Sequence, residues 1–262
     1  MKHAFHLMAK PAGWRCNLAC DYCFYLAKGQ GVLRDTCGQR HMSDKVLEAY
    51  IRQYIAASDG PAVNFTWQGG EPTLAGLDFY RRAVALQQRY AGDKRITNSL
   101  QTNGVLINDE WAAFLAQHRF LVGISLDGPA HLHNHYRKTN SGQPVFEQVM
   151  ATLDILKRHR VDINILTVVN NVTAQAPLDI YRFLTREVGA EFLQFIPVVE
   201  YDAQRGLLPW SVTGEDYGRF MIAIFDEWVR YDVGRVFVQL FDNSLAAWLG
   251  ERPSLCVMQP TC

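Results

Sequence analysis

Val63-Asn-Phe-Thr-Trp67 runs into Gln68-Gly-Gly-Glu-Pro72, and beyond it Leu77–Tyr90 repeats apolar residues at helical spacing. A β-branched and aromatic run, a glycine turn and an amphipathic run predict a strand, a loop and a helix in that order. The order recurs along the chain. Further strands are predicted at residues 5–9, 96–101, 121–126, 162–169 and 191–198, with helices at 44–57, behind Ser43 as N-cap, 108–117, 145–159 and 177–188. Six strand-then-helix units imply a parallel sheet with right-handed crossovers, either doubly wound or a partial barrel.

In both architectures functional residues collect at the C-terminal ends of the strands. The chemically loaded segments fall there. A cysteine loop follows the first strand, Gln68-Gly-Gly-Glu-Pro72 the second, Thr102-Asn-Gly104 the third and Asp127-Gly-Pro129 the fourth. After the sixth strand, residues 199–213 read as loop, 217–231 as an amphipathic helix and 236–249 as an apolar segment.

The chain has 262 residues, 26 basic against 26 acidic side chains and 48% hydrophobic positions. It can bury a sizeable core, and it carries no electrostatic footprint for nucleic acid or an anionic membrane surface. The N-terminal segment is too short and interrupted in its apolar part for a signal peptide, and no later stretch approaches a membrane span. A cytoplasmic location is the expectation. Its six cysteines then read as metal ligands or free thiols rather than disulfides.

Cys16, Cys20 and Cys23 form a C-x-x-x-C-x-x-C triplet in Cys16-Asn-Leu-Ala-Cys-Asp-Tyr-Cys-Phe-Tyr25. Three thiolates can hold three corners of a cubane iron–sulfur cluster and leave the fourth iron open to a substrate or cofactor. The spacing departs from the ferredoxin run, and the paired histidines of zinc fingers are missing. An electron carrier and a zinc-stabilised binding module are the competing classes. His131, His133 and His135 beside Asp127-Gly-Pro129 read as a polar loop rather than a metal site. Cys37 has no partner in the sequence and receives no role.

The triplet, the Gly-Gly-Glu-Pro loop, Ser99-Leu-Gln-Thr-Asn-Gly104, Gly123-Ile-Ser-Leu-Asp-Gly-Pro129 and Phe192-Leu-Gln-Phe-Ile196 together resemble the radical S-adenosylmethionine superfamily. Lys10-Pro, Cys23-Phe-Tyr25 and Gln68-Gly-Gly-Glu-Pro-Thr-Leu-Ala-Gly76 resemble, within it, the anaerobic sulfatase-maturating enzymes. The resemblance selects a partial (β/α)6 barrel. It implies a 4Fe–4S cluster on Cys16, Cys20 and Cys23, with S-adenosylmethionine chelating the open iron and yielding methionine and a 5′-deoxyadenosyl radical. Tyr22 matches the adenine-contacting position, Gly70 the methionine end of the cofactor with Glu71 shaping the loop, Ser125 and Arg137 the ribose and carboxylate ends, and Leu193 an adenosyl contact. A guanidinium suits a carboxylate because it donates two parallel hydrogen bonds.

The implied reaction oxidises an active-site Cys or Ser of a sulfatase polypeptide to Cα-formylglycine, with Gln68 and the rim loops holding peptide backbone and a flavodoxin or ferredoxin supplying electrons. Thioether crosslinking by a related maturase is the alternative within the superfamily. Residues 1–235 would form the radical S-adenosylmethionine domain and 236–262 the start of a C-terminal SPASM domain. Cys256 and Cys262 match the first ligands of that domain's two auxiliary clusters. The remaining ligands, and the acidic general base, are expected beyond Cys262, as in a fragment of a longer polypeptide.

Overall fold

The computed structural model describes residues 5–31, 41–255 and 258–259. In chain order the first elements are β1 (Met8–Ala9), α1 (Phe24–Gln30), α2 (Asp44–Ala57), β2 (Ala62–Trp67), α3 (Leu77–Tyr90), β3 (Arg95–Thr102), α4 (Asp109–Gln117) and β4 (Leu121–Ser125). There follow α5 (Ala130–Tyr136), α6 (Phe146–Arg158), β5 (Asp162–Val169), α7 (Pro177–Arg182) and β6 (Phe192–Pro197). A short hairpin of β7 (Tyr201–Asp202) and β8 (Gly206–Leu207) leads to α8 (Gly214–Tyr231), β9 (Phe237–Val238) and α9 (Gln239–Trp248). Two compact units divide the chain, one of Met1–Ile124 with Arg137–Ile163, the other of Ser125–Tyr136 with Asn164–Cys262.

In the first unit β1, β2, β3 and β4 lie side by side in chain order, all parallel, with Met8 opposite Thr66, Thr66 opposite Ser99 and Ser99 opposite Leu121. Alternation sorts β2 by face: Val63, Phe65 and Trp67 are buried, while Asn64 and Thr66 point the other way. Trp67 meets Phe79 and Tyr80 edge-on at 5.9 and 5.7 Å, and Tyr80 meets Trp111 at 5.3 Å. Edge-to-face contacts suit the ring quadrupoles. The indole N–H of Trp67 donates to Asn98 Oδ1 at 2.9 Å, and Asn98 exchanges amide hydrogen bonds with Gln87. The buried Trp67, Asn98 and Gln87 cluster is thereby satisfied internally.

In the second unit β5, β6 and β9 are parallel neighbours, with Ile165 opposite Leu193 and Leu193 opposite Val238. Thr213 caps α8 by accepting the Asp216 N–H at 3.1 Å. The buried face of α8 carries Phe220, Ile224, Glu227 and Trp228. Glu227 is clamped by Arg182 and Arg186, and the Trp228 indole donates to the Val236 carbonyl at 2.8 Å.

Three local readings change. The first strand is confined to Met8–Ala9 because the Leu7 amide donates to the Tyr54 hydroxyl, which itself donates to the Asn64 carbonyl; a side chain is spliced into the ladder. The helix expected over 177–188 is α-helical to Arg182 and widens into a π turn over Phe183–Glu187, where Val188 N reaches Phe183 O. Residues 131–135 belong to a helix rather than a loop: Leu132 and His133 are buried, and His133 Nδ1 accepts the Asp127 N–H at 3.2 Å. Among the described residues no helix is long and apolar enough to cross a membrane.

Candidate functional site

The cysteine loop is built on its own backbone and on two neighbouring segments of the first unit. Residues 11–14 turn, with Gly13 N donating to Lys10 O at 3.0 Å. Leu18 bridges antiparallel to Thr139, and Ala19 N donates to Lys138 O at 2.8 Å. Cys23 N donates to Cys20 O, which turns the chain into α1. Cys20 is buried, and Cys16 and Cys23 are half-buried.

The Gly-Gly-Glu-Pro loop lies directly on that loop. Gly70 N donates to Gly13 O at 2.8 Å and Glu71 N to Arg15 O at 2.7 Å. A Cβ on Gly70 would sit 2.1 Å from the Arg15 carbonyl oxygen and 2.5 Å from the Trp14 carbonyl carbon. The close approach that glycine permits is therefore to the cysteine loop's own main chain.

Glu71 is completely buried, and its carboxylate is the hub of the site. Oε1 accepts from Thr73 N at 3.0 Å, Thr73 Oγ1 at 2.6 Å and Thr102 Oγ1 at 2.7 Å, while Oε2 accepts from Asn103 N at 2.8 Å. Burial pushes its carboxyl up from the usual carboxylate range, and these four donors pull the other way. Through Asn103 the hub reaches the first cysteine: Asn103 Nδ2 lies 3.6 Å from Cys16 Sγ and 2.8 Å from Asn17 Oδ1.

Cys16 Sγ also faces the Leu18 N–H at 3.4 Å. Burial pushes the Cys16 thiol up to about 12; the Leu18 amide pulls it down, and Glu71 and the other two cysteines add to the rise. A thiol so placed ionises when a cation takes the proton's place. Two N–H groups aimed at one sulfur are poor company for a neutral thiol and good company for a metal-bound thiolate. The donor set thus fits an iron–sulfur cluster. Among the described residues no three His, Cys, Asp or Glu converge as ligands of a single metal ion; in a cubane each thiolate meets a different iron.

Tyr22 and Arg137 come together here. Both are buried, and the guanidinium carbon stands 5.5 Å from the centre of the Tyr22 ring. A cation over an aromatic face is held by the ring quadrupole. Ser125 ends β4 and is half-buried, and Leu193 on β6 is 1% exposed; both belong to the second unit. Cys256, Cys262 and Cys37 lie outside the described residues.

Residues 13–184 match the Radical SAM superfamily. The chain belongs to the radical SAM superfamily. Within it the chain groups with the anaerobic sulfatase-maturating enzymes. A serine-type enzyme of this kind from Bacteroides thetaiotaomicron is 42% identical over 98% of this chain and 65% of that protein. A cysteine-type enzyme from Clostridium perfringens is 39% identical over 98% of this chain and 69% of that protein. The solved structure of native anSMEcpe with bound AdoMet and Cp18Cys peptide superimposes with a TM-score of 0.87 at 36% identity, covering 97% of this chain and 68% of that one. The radical SAM chain described here therefore spans about two thirds of the length of such relatives.

Two residues that contact Cys16 carry no motif role. Asn103 lies in the strand-end segment Thr102-Asn-Gly104, and Asn17 sits between two cysteines. Asn17 neighbours Cys16 in the chain, whereas only the fold brings Asn103 onto both.

Proposed function

We propose that this chain is the radical-generating part of an anaerobic sulfatase-maturating enzyme, which oxidises a Cys or Ser of a sulfatase polypeptide to Cα-formylglycine. Cys16, Cys20 and Cys23 would hold one 4Fe–4S cluster, with S-adenosylmethionine at its open iron. Together these groups supply reductive cleavage of the cofactor's sulfonium and a hydrogen-atom abstractor. What supports the reading above all is Cys16: a half-buried thiol facing two N–H donors, on a loop pinned by the Gly-Gly-Glu-Pro turn.

In this reading Gly70 and Glu71 fix the cysteine loop and frame the methionine end of the cofactor. Arg137, braced on Tyr22, offers a charged fork to the carboxylate, and Tyr22 lends its ring to the adenine. Ser125 takes the ribose, and Leu193, whose side chain is core, contacts the adenosyl group through its backbone. Gln68 binds substrate peptide, a positioning task. Residues 1–235 form the radical domain and 236–262 open a SPASM domain, with Cys256 and Cys262 the first ligands of two auxiliary clusters. A flavodoxin or ferredoxin delivers electrons in the cytoplasm.

The test is anaerobic reconstitution with iron and sulfide, followed by S-adenosylmethionine and a strong reductant. 5′-Deoxyadenosine is expected from the parent chain and is lost in Cys16→Ala. Zinc without iron or sulfide after anaerobic purification, or no product beyond the Cys16→Ala control, overturns the radical reading. With a sulfatase peptide and the full-length protein, formylglycine is the expected product; a thioether in its place assigns the other maturase chemistry.

A further inference from the structure

Asn103 has two sides, and the fold uses them differently. Its Oδ1 accepts the Val105 N–H at 3.0 Å, closing the turn that follows β3. That acceptor role fixes the orientation of the amide, because the nitrogen end could not serve it. Nδ2 is consequently turned toward Asn17 Oδ1 at 2.8 Å and Cys16 Sγ at 3.6 Å. The residue is 8% exposed, and its backbone is held from behind by the buried Glu71 carboxylate. A turn alone needs only the oxygen. The donor end, carried into the cysteine loop from a strand far away in sequence, calls for a separate account.

We infer that Asn103 is a positioning residue for the cluster, its side-chain N–H directed at the Cys16 thiolate so as to orient that ligand and raise the cluster's reduction potential. The inference rests on the reading that Cys16 ligates the cluster. Reduction adds negative charge to iron and sulfur, so a donor dipole aimed at a ligand sulfur stabilises the reduced form more than the oxidised one. Near Cys16 the buried Glu71 carboxylate acts in the opposite direction, which makes a compensating donor useful. Asn17 Oδ1 shares the same N–H group and keeps the amide in place between the two partners.

Two substitutions separate the donor from the turn. Asn103→Asp keeps the shape and the oxygen facing Val105 while replacing the N–H group by a charged oxygen. Asn103→Ser retains a hydroxyl acceptor and adds no charge. The measurement is a reductive titration of the reconstituted chain, without S-adenosylmethionine, followed by electron paramagnetic resonance. Both variants are expected to titrate at more negative potential, Asn103→Asp the further. A midpoint unchanged in both, with the cluster signal intact, overturns the inference.

The parent protein supplies a second readout independent of how the variants fold. With asparagine labelled by nitrogen-15 at Nδ2 alone, the reduced cluster is expected to show a weak nitrogen-15 hyperfine coupling; its absence overturns the inference. Cys16→Ala separates this failure from failure of the underlying reading. If Cys16→Ala retains the full cluster signal, Cys16 is not a ligand. If it loses the cluster while the midpoints and coupling fail, only the role of Asn103 falls.

Discussion

At Gly70 an added Cβ would strike main chain, 2.1 Å from the Arg15 carbonyl oxygen, whereas at Gly76 the surrounding space is open and φ is +82°. The two glycines thus answer to different physics: one to close approach, the other to an extended backbone at positive φ that only glycine adopts readily. Backbone atoms of a pinned loop cannot step aside. Gly70→Ala is expected to cost about 3 kcal/mol, the upper range for overpacking, and to impair cluster incorporation. Gly76→Ala is expected to cost about 2 kcal/mol, the strain of a non-glycine residue in a backbone region essentially reserved for glycine, and to leave cluster incorporation intact. Chemical denaturation and iron content after reconstitution check the pair; equal effects would remove the claim that Gly70 seats the cysteine loop.

Helices α7 and α8 meet through a carboxylate that has little water to turn to. Glu227 is only 7% exposed and receives Arg182 Nε at 2.9 Å and Arg186 at 2.7 Å. The Arg182 hydrogen bonds hold its carboxyl below the usual range, more than offsetting the burial that pushes it up. A carboxyl whose value is lower folded than unfolded stabilises the fold above the unfolded value, about 4.3 for Glu, and loses that contribution as the pH falls through the folded value. Glu227→Gln is therefore expected to cost about 2 kcal/mol at neutral pH, the scale of charged hydrogen bonds. The difference from the parent should shrink below about pH 4. Urea titrations at pH 7 and pH 3.5 test this, and a pH-independent difference would count against the clamp.

Over the whole molecule the charges cancel, 26 basic against 26 acidic, with an isoelectric point near 7.1. A chain with no net charge lacks the repulsion that keeps molecules apart. Solubility should pass through a minimum near neutrality and rise at pH 8.5, where the net charge is negative. The polyethylene glycol concentration needed for precipitation measures this; a threshold that does not rise between pH 7.1 and 8.5 would show that surface patches, not net charge, govern association.

Sequence patterning by itself determined the alternation of strands and helices, because apolar periods of two and of about 3.6 are local signals. Asp44–Ala57 and Leu77–Tyr90 occur as read, and the family was legible in the cysteine spacing and the strand-end motifs. What stayed hidden was set by contacts distant along the chain. The Tyr54 hydroxyl that shortens β1 comes from α2, and the buried His133 that turns a presumed loop into helix meets the Asp127 amide. Asn103 is an ordinary turn residue until β3 is laid beside β2, Glu71 accepts its main-chain N–H and its side-chain amide faces Cys16. Residue types announced a cysteine triplet able to hold a cluster; which donors face Cys16 was decided by tertiary structure, since hydrogen bonds act over about 3 Å and only folding brings such groups that close.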